Sequence, residues 1–176
     1  MIEHKRIVLT GGPSTGKTSL LKHINADQIK CFSEVSREVI RKAQVQGFKN
    51  PFLDNPLEFS KALFEERLKD YLTLSVKPIH MYDRGIHDVV AYLYAIGHEV
   101  PSNMDKECKK NKYNIVFVLP PWEEIFHQDK ERLENFNEAQ KYHYALIETY
   151  QSYGMNCIEV PKSNITNRIE FILYNL

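Results

Sequence analysis

The apolar positions of this chain come in short blocks that switch between two periods. Ile7-Val8-Leu9-Thr10 is a β-prone run ended by Gly11-Gly12-Pro13. A helix is predicted from near Gly16, carrying Ser19, Leu20, Leu21 and Ile24. A second strand is predicted around Lys30 to Glu34, and Val35 to Gln46 reads as helix stopped by Gly47. Asn50 to Asn55 reads as loop. Asn55 then caps a helix that opens on Pro56, with Glu58 at capping-box spacing. Leu57, Phe64, Leu68, Tyr71 and Leu72 keep the helical period to about Ser75.

Pro78 to Tyr82 is predicted as a third strand, followed by Asp83-Arg84-Gly85. Asp88 to Ile96 is apolar nearly all round, which predicts a buried helix ended by Gly97. Ser102 to Asn111 is polar and predicts a surface helix. Ile115 to Leu119 is an unbroken apolar run, as in parallel strands buried on both faces. Trp122 to Tyr153 is charged and reads as mostly helical. Cys157 to Val160 is a fifth strand, and Ile165, Ile169, Ile172 and Leu173 mark a closing helix. Five strands alternating with helices predict an α/β three-layer domain with a mainly parallel sheet. A length of 176 residues suits one such domain over 1–176.

Charge narrows the partners. Lys+Arg and Asp+Glu are both 23, so bulk charge gives no reason to expect nucleic acid or an anionic membrane surface. Cys31, Cys108 and Cys157 are widely separated and match no zinc spacing or disulfide framework, which suits a reducing compartment. Met1 to Arg6 is polar, no signal peptide is expected, and no run approaches the ~20 apolar residues of a membrane span. The expected location is the cytoplasm. The aromatic residues Phe59, Phe64, Tyr71, Tyr92 and Tyr94 are expected in the core.

The strongest chemical signal is Gly11-Gly12-Pro13-Ser14-Thr15-Gly16-Lys17-Thr18, which fits G-x-x-x-x-G-K-[ST], with Ser19 next to it. Glycines let the main chain curl so that N–H groups converge on a phosphate. Lys17 can reach the β- and γ-phosphates, and the Thr18 hydroxyl can ligate Mg²⁺. The spacing excludes a dinucleotide fingerprint.

In the expected sheet the third strand neighbours the first. Asp83 then stands beside Lys17 and Thr18, to hold Mg²⁺ or to take a proton from an attacking hydroxyl, and Arg84 to contact phosphate or substrate. Glu34 and Arg37 follow the second strand; Glu34 is expected to bind substrate hydroxyls or serve as base, and Arg37 to clamp a phosphate or carboxylate. Glu38 and Arg41 read as a solvated pair one turn apart, and His87 and Asp88 as polar residues opening a helix. Gln128-Asp129-Lys130-Glu131-Arg132 is a candidate flap segment in which Lys130 or Arg132 carries a cation to the transferred group.

These residues together resemble the small P-loop kinase-like domains grouped with the nicotinamide riboside kinase domain of the NadR type, which carry the AAA name. The resemblance rests on the phosphate loop with Pro13-Ser14, the segment Glu34 to Glu38, and Asp83-Arg84-Gly85-Ile86-His87-Asp88. It extends through Asn55-Pro56, Gly97 and Pro121-Trp122 to Arg132. It implies a P-loop kinase fold with strand order 2-3-1-4-5 and ATP–Mg²⁺ binding, with GTP as the alternative nucleotide. For a phosphotransferase these residues place an acceptor-binding region at 34–75 and a flap at 122–141. NadR carries an adenylyltransferase domain for which this sequence has no room, and the relatives include a branch described as binding GTP and phosphatidic acid.

Two functions lead as expectations, with slow NTP hydrolysis as a weaker third. The first is a kinase moving the γ-phosphate of ATP to a nucleoside-like metabolite. The second is a nucleotide-dependent switch, lipid-associated in one form, that transfers nothing. A standard GTPase fits poorly, because Asn111-Lys112-Tyr113-Asn114 only half matches N-K-x-D and precedes a strand.

Overall fold

The computed structural model of the chain describes residues 4–24, 27–45, 47–48, 54–126 and 135–176. The strands are β1 (Lys5–Gly11), β2 (Ile29–Phe32), β3 (Ile79–Asp83), β4 (Ile115–Leu119) and β5 (Cys157–Glu159). They form one parallel sheet in the order β2-β3-β1-β4-β5. Leu9 stands opposite both Asp83 and Phe117, which fixes β3 and β4 as the neighbours of β1.

The continuous apolar run of β1 follows from its place at the centre of the sheet. Ile7, Val8 and Leu9 have no exposed surface, because helices cover both faces. Val8 joins Tyr82, Val116 and Val118 on one face. That face is covered by α2 (Ser36–Val45), α3 (Pro56–Leu72), α4 (Ile86–Ala95), α5 (Ser102–Lys110) and α6 (Phe136–Ser152). Ile7 and Leu9 join Met81, Phe117 and Leu119 on the other, under α1 (Lys17–His23) and α7 (Ile165–Tyr174). The result is the three-layer α/β arrangement with the strand order anticipated from the resemblance. The carboxyl ends of β1, β2 and β3 open on one edge, where ligands bind in open α/β sheets.

Helix starts obey the local chemistry. The Asn55 side chain accepts the Glu58 N–H at 3.3 Å, with Pro56 first in α3. In the charged stretch from Trp122 to Tyr153, the described residues form a single turn of 3₁₀ helix over Glu123–Ile125 and then α6 from Phe136; residues 127–134 lie outside the described residues. A reciprocal capping box starts that helix: Glu138 N–H donates to Asn135 Oδ1 at 3.0 Å and Asn135 N–H to Glu138 Oε2 at 2.7 Å.

Smaller readings also change. Glu38 pairs with Lys42 at 3.0 Å, one full turn on, instead of with Arg41; Lys42 also reaches Glu66 of α3 at 3.5 Å. Tyr94 lies outside the core, 53% exposed on α4. The polar helix α5 keeps one buried face, made by Met104 and Cys108. Helix α4 begins at Ile86, two residues before the expected start.

Candidate active site

The phosphate loop starts where β1 runs out. Gly11 has φ 145°, and a Cβ there would lie 2.4 Å from the Leu119 carbonyl oxygen of β4. Only glycine allows that approach. Ser14 at φ 57° and Gly16 at φ 88° are left-handed, and they curl the main chain into a concave turn of the kind that cradles anions. The Thr15 hydroxyl donates to the Gly12 carbonyl at 3.0 Å.

Lys17 is buried inside this turn. Its ammonium donates to the carbonyls of Gly11 at 2.9 Å and Gly12 at 2.7 Å and to Thr15 Oγ1 at 3.1 Å. Burial, helped by the positive charge of Arg84, pulls its pKa down to about 7 against the opposing carboxylates of Asp83 and Glu34.

Two helices brace the loop from outside. Gly12 packs on the first turn of α6, where an added Cβ would meet the Ala139 carbonyl oxygen at 3.1 Å. Arg168 of α7 is buried and donates through Nη2 to the Thr15 carbonyl at 3.0 Å, with its guanidinium 6.0 Å from the Trp122 ring centre. Ser19 is exposed on α1.

Asp83 closes β3. The Thr18 hydroxyl donates to Asp83 Oδ2 at 2.8 Å, which joins the loop to the third strand. Asp83 Oδ1 is buried and has no partner among the described residues. Burial pushes this carboxyl up, with Lys17 opposing. An orphaned carboxylate oxygen beside a hydroxyl is a hard-oxygen donor set that fits Mg²⁺. Among the described residues no cluster of three or more His, Cys, Asp or Glu could hold a metal unaided. A cation bound by Thr18 and Asp83 would therefore need phosphate oxygens and water to complete its shell.

The chain leaves Asp83 through Arg84 at φ 71°, an uncommon value for a residue with a side chain. This turn directs the guanidinium sideways. Nε meets Glu34 Oε2 at 2.8 Å and Nη1 meets Asp88 Oδ1 at 3.3 Å. The other Glu34 oxygen accepts from Arg67 Nη2 at 2.8 Å and from the Ser36 N–H at 3.2 Å. Burial alone would raise the Glu34 carboxyl, but Arg67 and Arg84 outweigh it and hold the pKa at about 2. Glu34 and Asp88 in turn hold Arg84 in its charged form against burial. Gly85 is required for space: a Cβ there would sit 2.7 Å from both Tyr113 and Tyr150.

Beside this cluster lies a narrow cleft lined by Phe32, Val35, Arg67, Asp70, Tyr82 and Arg84, with Phe32 and Tyr82 stacked at 4.7 Å. A larger cavity, about 410 Å³, is lined by Tyr94, Lys109, Lys112 and Tyr153. It shares no lining residue with the phosphate loop, Asp83 or the Arg84–Glu34 cluster.

The structure thus brings Gly11 to Thr18, Glu34, Asp83 and Arg84 to one edge. Arg37 is exposed in the first turn of α2. His127, Asp129, Lys130 and Arg132 lie outside the described residues. Sequence reading missed Arg67, Asp88 and Arg168. Each is buried, and each carried a signal: a charge set into an apolar helical stripe. Arg67 falls in step with Ser60, Leu63, Phe64 and Tyr71, and Arg168 with Ile165 and Ile172.

A family model described as AAA domain matches residues 6–168. No curated protein matches the chain. Deoxyadenosine kinase from M. mycoides, solved with products dCMP and a flexible dCDP bound, is similar with a TM-score of 0.65 at 15% identity, over 97% of each chain. Thymidylate kinase from Candida albicans gives a TM-score of 0.65 at 17% identity, over 98% of this chain and 91% of that one. Thymidylate kinase from Ehrlichia chaffeensis gives 0.57 at 17%, over 99% and 100%. The fold is that of the P-loop nucleoside and nucleotide kinases.

Proposed function

We propose that this chain, which belongs to the AAA domain family, is a kinase that transfers the γ-phosphoryl group of ATP to a hydroxyl of a small nucleoside-like metabolite. The observation that carries this reading is the Thr18–Asp83 hydrogen bond of 2.8 Å, which sets a buried carboxylate directly beside the phosphate loop. The full-length likeness to nucleoside and nucleotide kinases supports it. Nicotinamide riboside, suggested by the sequence resemblance, is the first acceptor to test. The acceptor region is assigned to residues 34–75 and the flap to 122–141, with Lys130 or Arg132 as its cation.

In this reading the main-chain N–H groups of the loop bind the triphosphate, and Lys17 exchanges the Gly11 and Gly12 carbonyls for phosphate oxygens. Thr18 and Asp83 would hold Mg²⁺, which when bound neutralises charge on the phosphates. Glu34, ionised at any physiological pH, accepts a hydrogen bond from the acceptor and orients it. Asp83, whose share in holding Mg²⁺ would be through the ion's water shell, keeps Oδ1 open to take the hydroxyl proton. The acceptor oxygen bonds to phosphorus as the bond to the β-phosphate oxygen breaks. Positioning and charge neutralisation supply most of the rate.

Among the described residues no helix is long and apolar enough to cross a membrane. The free cysteines Cys31, Cys108 and Cys157 suit a reducing compartment, and we assign the chain to the cytoplasm on that ground.

The test is incubation with ATP, Mg²⁺ and a panel of nucleosides that includes nicotinamide riboside. A phosphorylated product is expected. Lys17→Ala should abolish nucleotide binding. Asp83→Asn should cut turnover by on the order of 100-fold or more while nucleotide affinity stays within a few-fold. Tight nucleotide binding with no product across the panel would favour the switch function instead.

A further inference from the structure

Asp88 is read in the sequence as a polar helix start, and that role needs one contact. Its carboxylate makes four. Oδ1 accepts from Thr10 Oγ1 at 2.6 Å and from Arg84 Nη1 at 3.3 Å. Oδ2 accepts from the Gly85 N–H at 2.9 Å and from the Tyr150 hydroxyl at 2.5 Å. Only the Gly85 contact caps α4. The side chain is 3% exposed. A carboxylate is costly to bury, and an apolar residue would fill the same space without that cost. The charge is kept for the groups it organises.

Those groups converge on the site from separate elements. Thr10 is the last residue before the phosphate loop. Arg84 directly follows Asp83 and bridges to Glu34. Tyr150 comes from α6, whose first turn packs on Gly12. Arg84 has two acidic anchors, Glu34 on the acceptor side and Asp88 on the side of β1. With Glu34 alone the guanidinium would be free to swing about that single contact.

We propose that Asp88 is a positioning residue that fixes the Arg84 guanidinium between Glu34 and the end of β1, and so sets where acceptor and phosphate meet without touching either. Its kinetic consequence rests on the phosphotransfer reading; the placement of Arg84 does not.

Asp88→Asn separates the contacts. An amide presents one acceptor and one donor edge. The Gly85 N–H can only donate, so the amide oxygen is expected to take the Oδ2 place, where Tyr150 also donates. The NH₂ then faces Thr10, whose hydroxyl can turn to accept, and Arg84, which cannot.

The variant is therefore expected to fold and to bind ATP–Mg²⁺ within about threefold of the parent, while kcat/KM for the acceptor falls 10- to 100-fold, the range a misplaced group produces. The Arg84 Nε–H resonance in ¹H–¹⁵N spectra should be shifted or lost. In an Arg84→Met background Asp88→Asn should have no further kinetic effect.

Tyr150→Phe is the structural control. It removes one donor to Oδ2 and leaves the Arg84 contact, so it should lower Tm with acceptor kinetics within threefold. Equal kinetic losses in both variants, or an unchanged Arg84 resonance in Asp88→Asn, would overturn the proposal.

If Asp88→Asn does not fold, Thr10→Val removes one anchor of Oδ1, and the same shift of the Arg84 resonance is expected; no shift overturns the idea. Should the parent protein bind nucleotide but phosphorylate nothing, the kinase reading fails, while the Arg84 resonance still decides the role of Asp88.

Discussion

The Lys17 ammonium donates to the Gly12 carbonyl at 2.7 Å, turned into the very loop that carries it. Burial and the nearby Arg84 charge keep its pKa at about 7. A bound polyphosphate would supply the missing negative charge and raise that value. Nucleotide binding should therefore take up about half a proton at pH 7, and more as the pH approaches 8. Calorimetry in buffers of different ionisation enthalpy measures this directly. Uptake that stays flat between pH 6 and pH 8 would show that Lys17 does not titrate on binding.

Glu34 should make stability sensitive to acid. Its folded carboxyl, at about 2, is depressed below the ordinary value of 4.5. The stabilisation is complete above pH 4.5 and is lost as the pH falls toward 2; the shift corresponds to about 3 kcal/mol. Asp83, raised on folding, acts in the opposite direction. The difference between urea midpoints of the parent and Glu34→Gln, followed from pH 6 to pH 2.5, isolates the Glu34 part and should shrink as acid is added.

The Arg67–Glu34 pair should show strong coupling. Arg67 is 6% exposed on its side chain and Glu34 16%. Arg67→Leu leaves Glu34 Oε1 with only the Ser36 N–H while Arg84 still holds Oε2, so the loss should stay below the ~3–5 kcal/mol of a fully stranded buried charge. Arg67→Leu with Glu34→Leu should recover much of that loss. A double-mutant cycle by urea denaturation checks it, and additive losses would show that the pair is not coupled.

Two glycines of the loop should respond unequally. Gly11→Ala drives a methyl group into the Leu119 carbonyl oxygen, 2.4 Å away, at φ 145°. Gly16→Ala meets only the end of the Arg168 side chain at 3.1 Å, at φ 88°. Gly16→Ala should cost about 1 kcal/mol and Gly11→Ala clearly more, with nucleotide binding lost first in Gly11→Ala. Thermal unfolding and nucleotide titration rank the two.

The sheet was legible because each strand signals itself locally. Ile7 to Leu9 and Ile115 to Leu119 are continuous apolar runs, and Asn55-Pro56 announces its helix by chemistry that acts within four residues. The loop from Gly11 to Thr18 was legible for the same reason. Arg67, Asp88 and Arg168 were not, because their partners lie far away in sequence: Arg67 meets Glu34 across 33 positions, Asp88 meets Tyr150 across 62, and Arg168 meets Thr15 across 153.

Helix α6 touches the phosphate loop at Ala139 and the Asp88 carboxylate at Tyr150, positions about 16 Å apart along its axis. A rod fixed at two such points behaves as a lever. A small tilt displaces the cradle and the Arg84 clamp together, so donor and acceptor ends would be geared to each other by one piece of backbone.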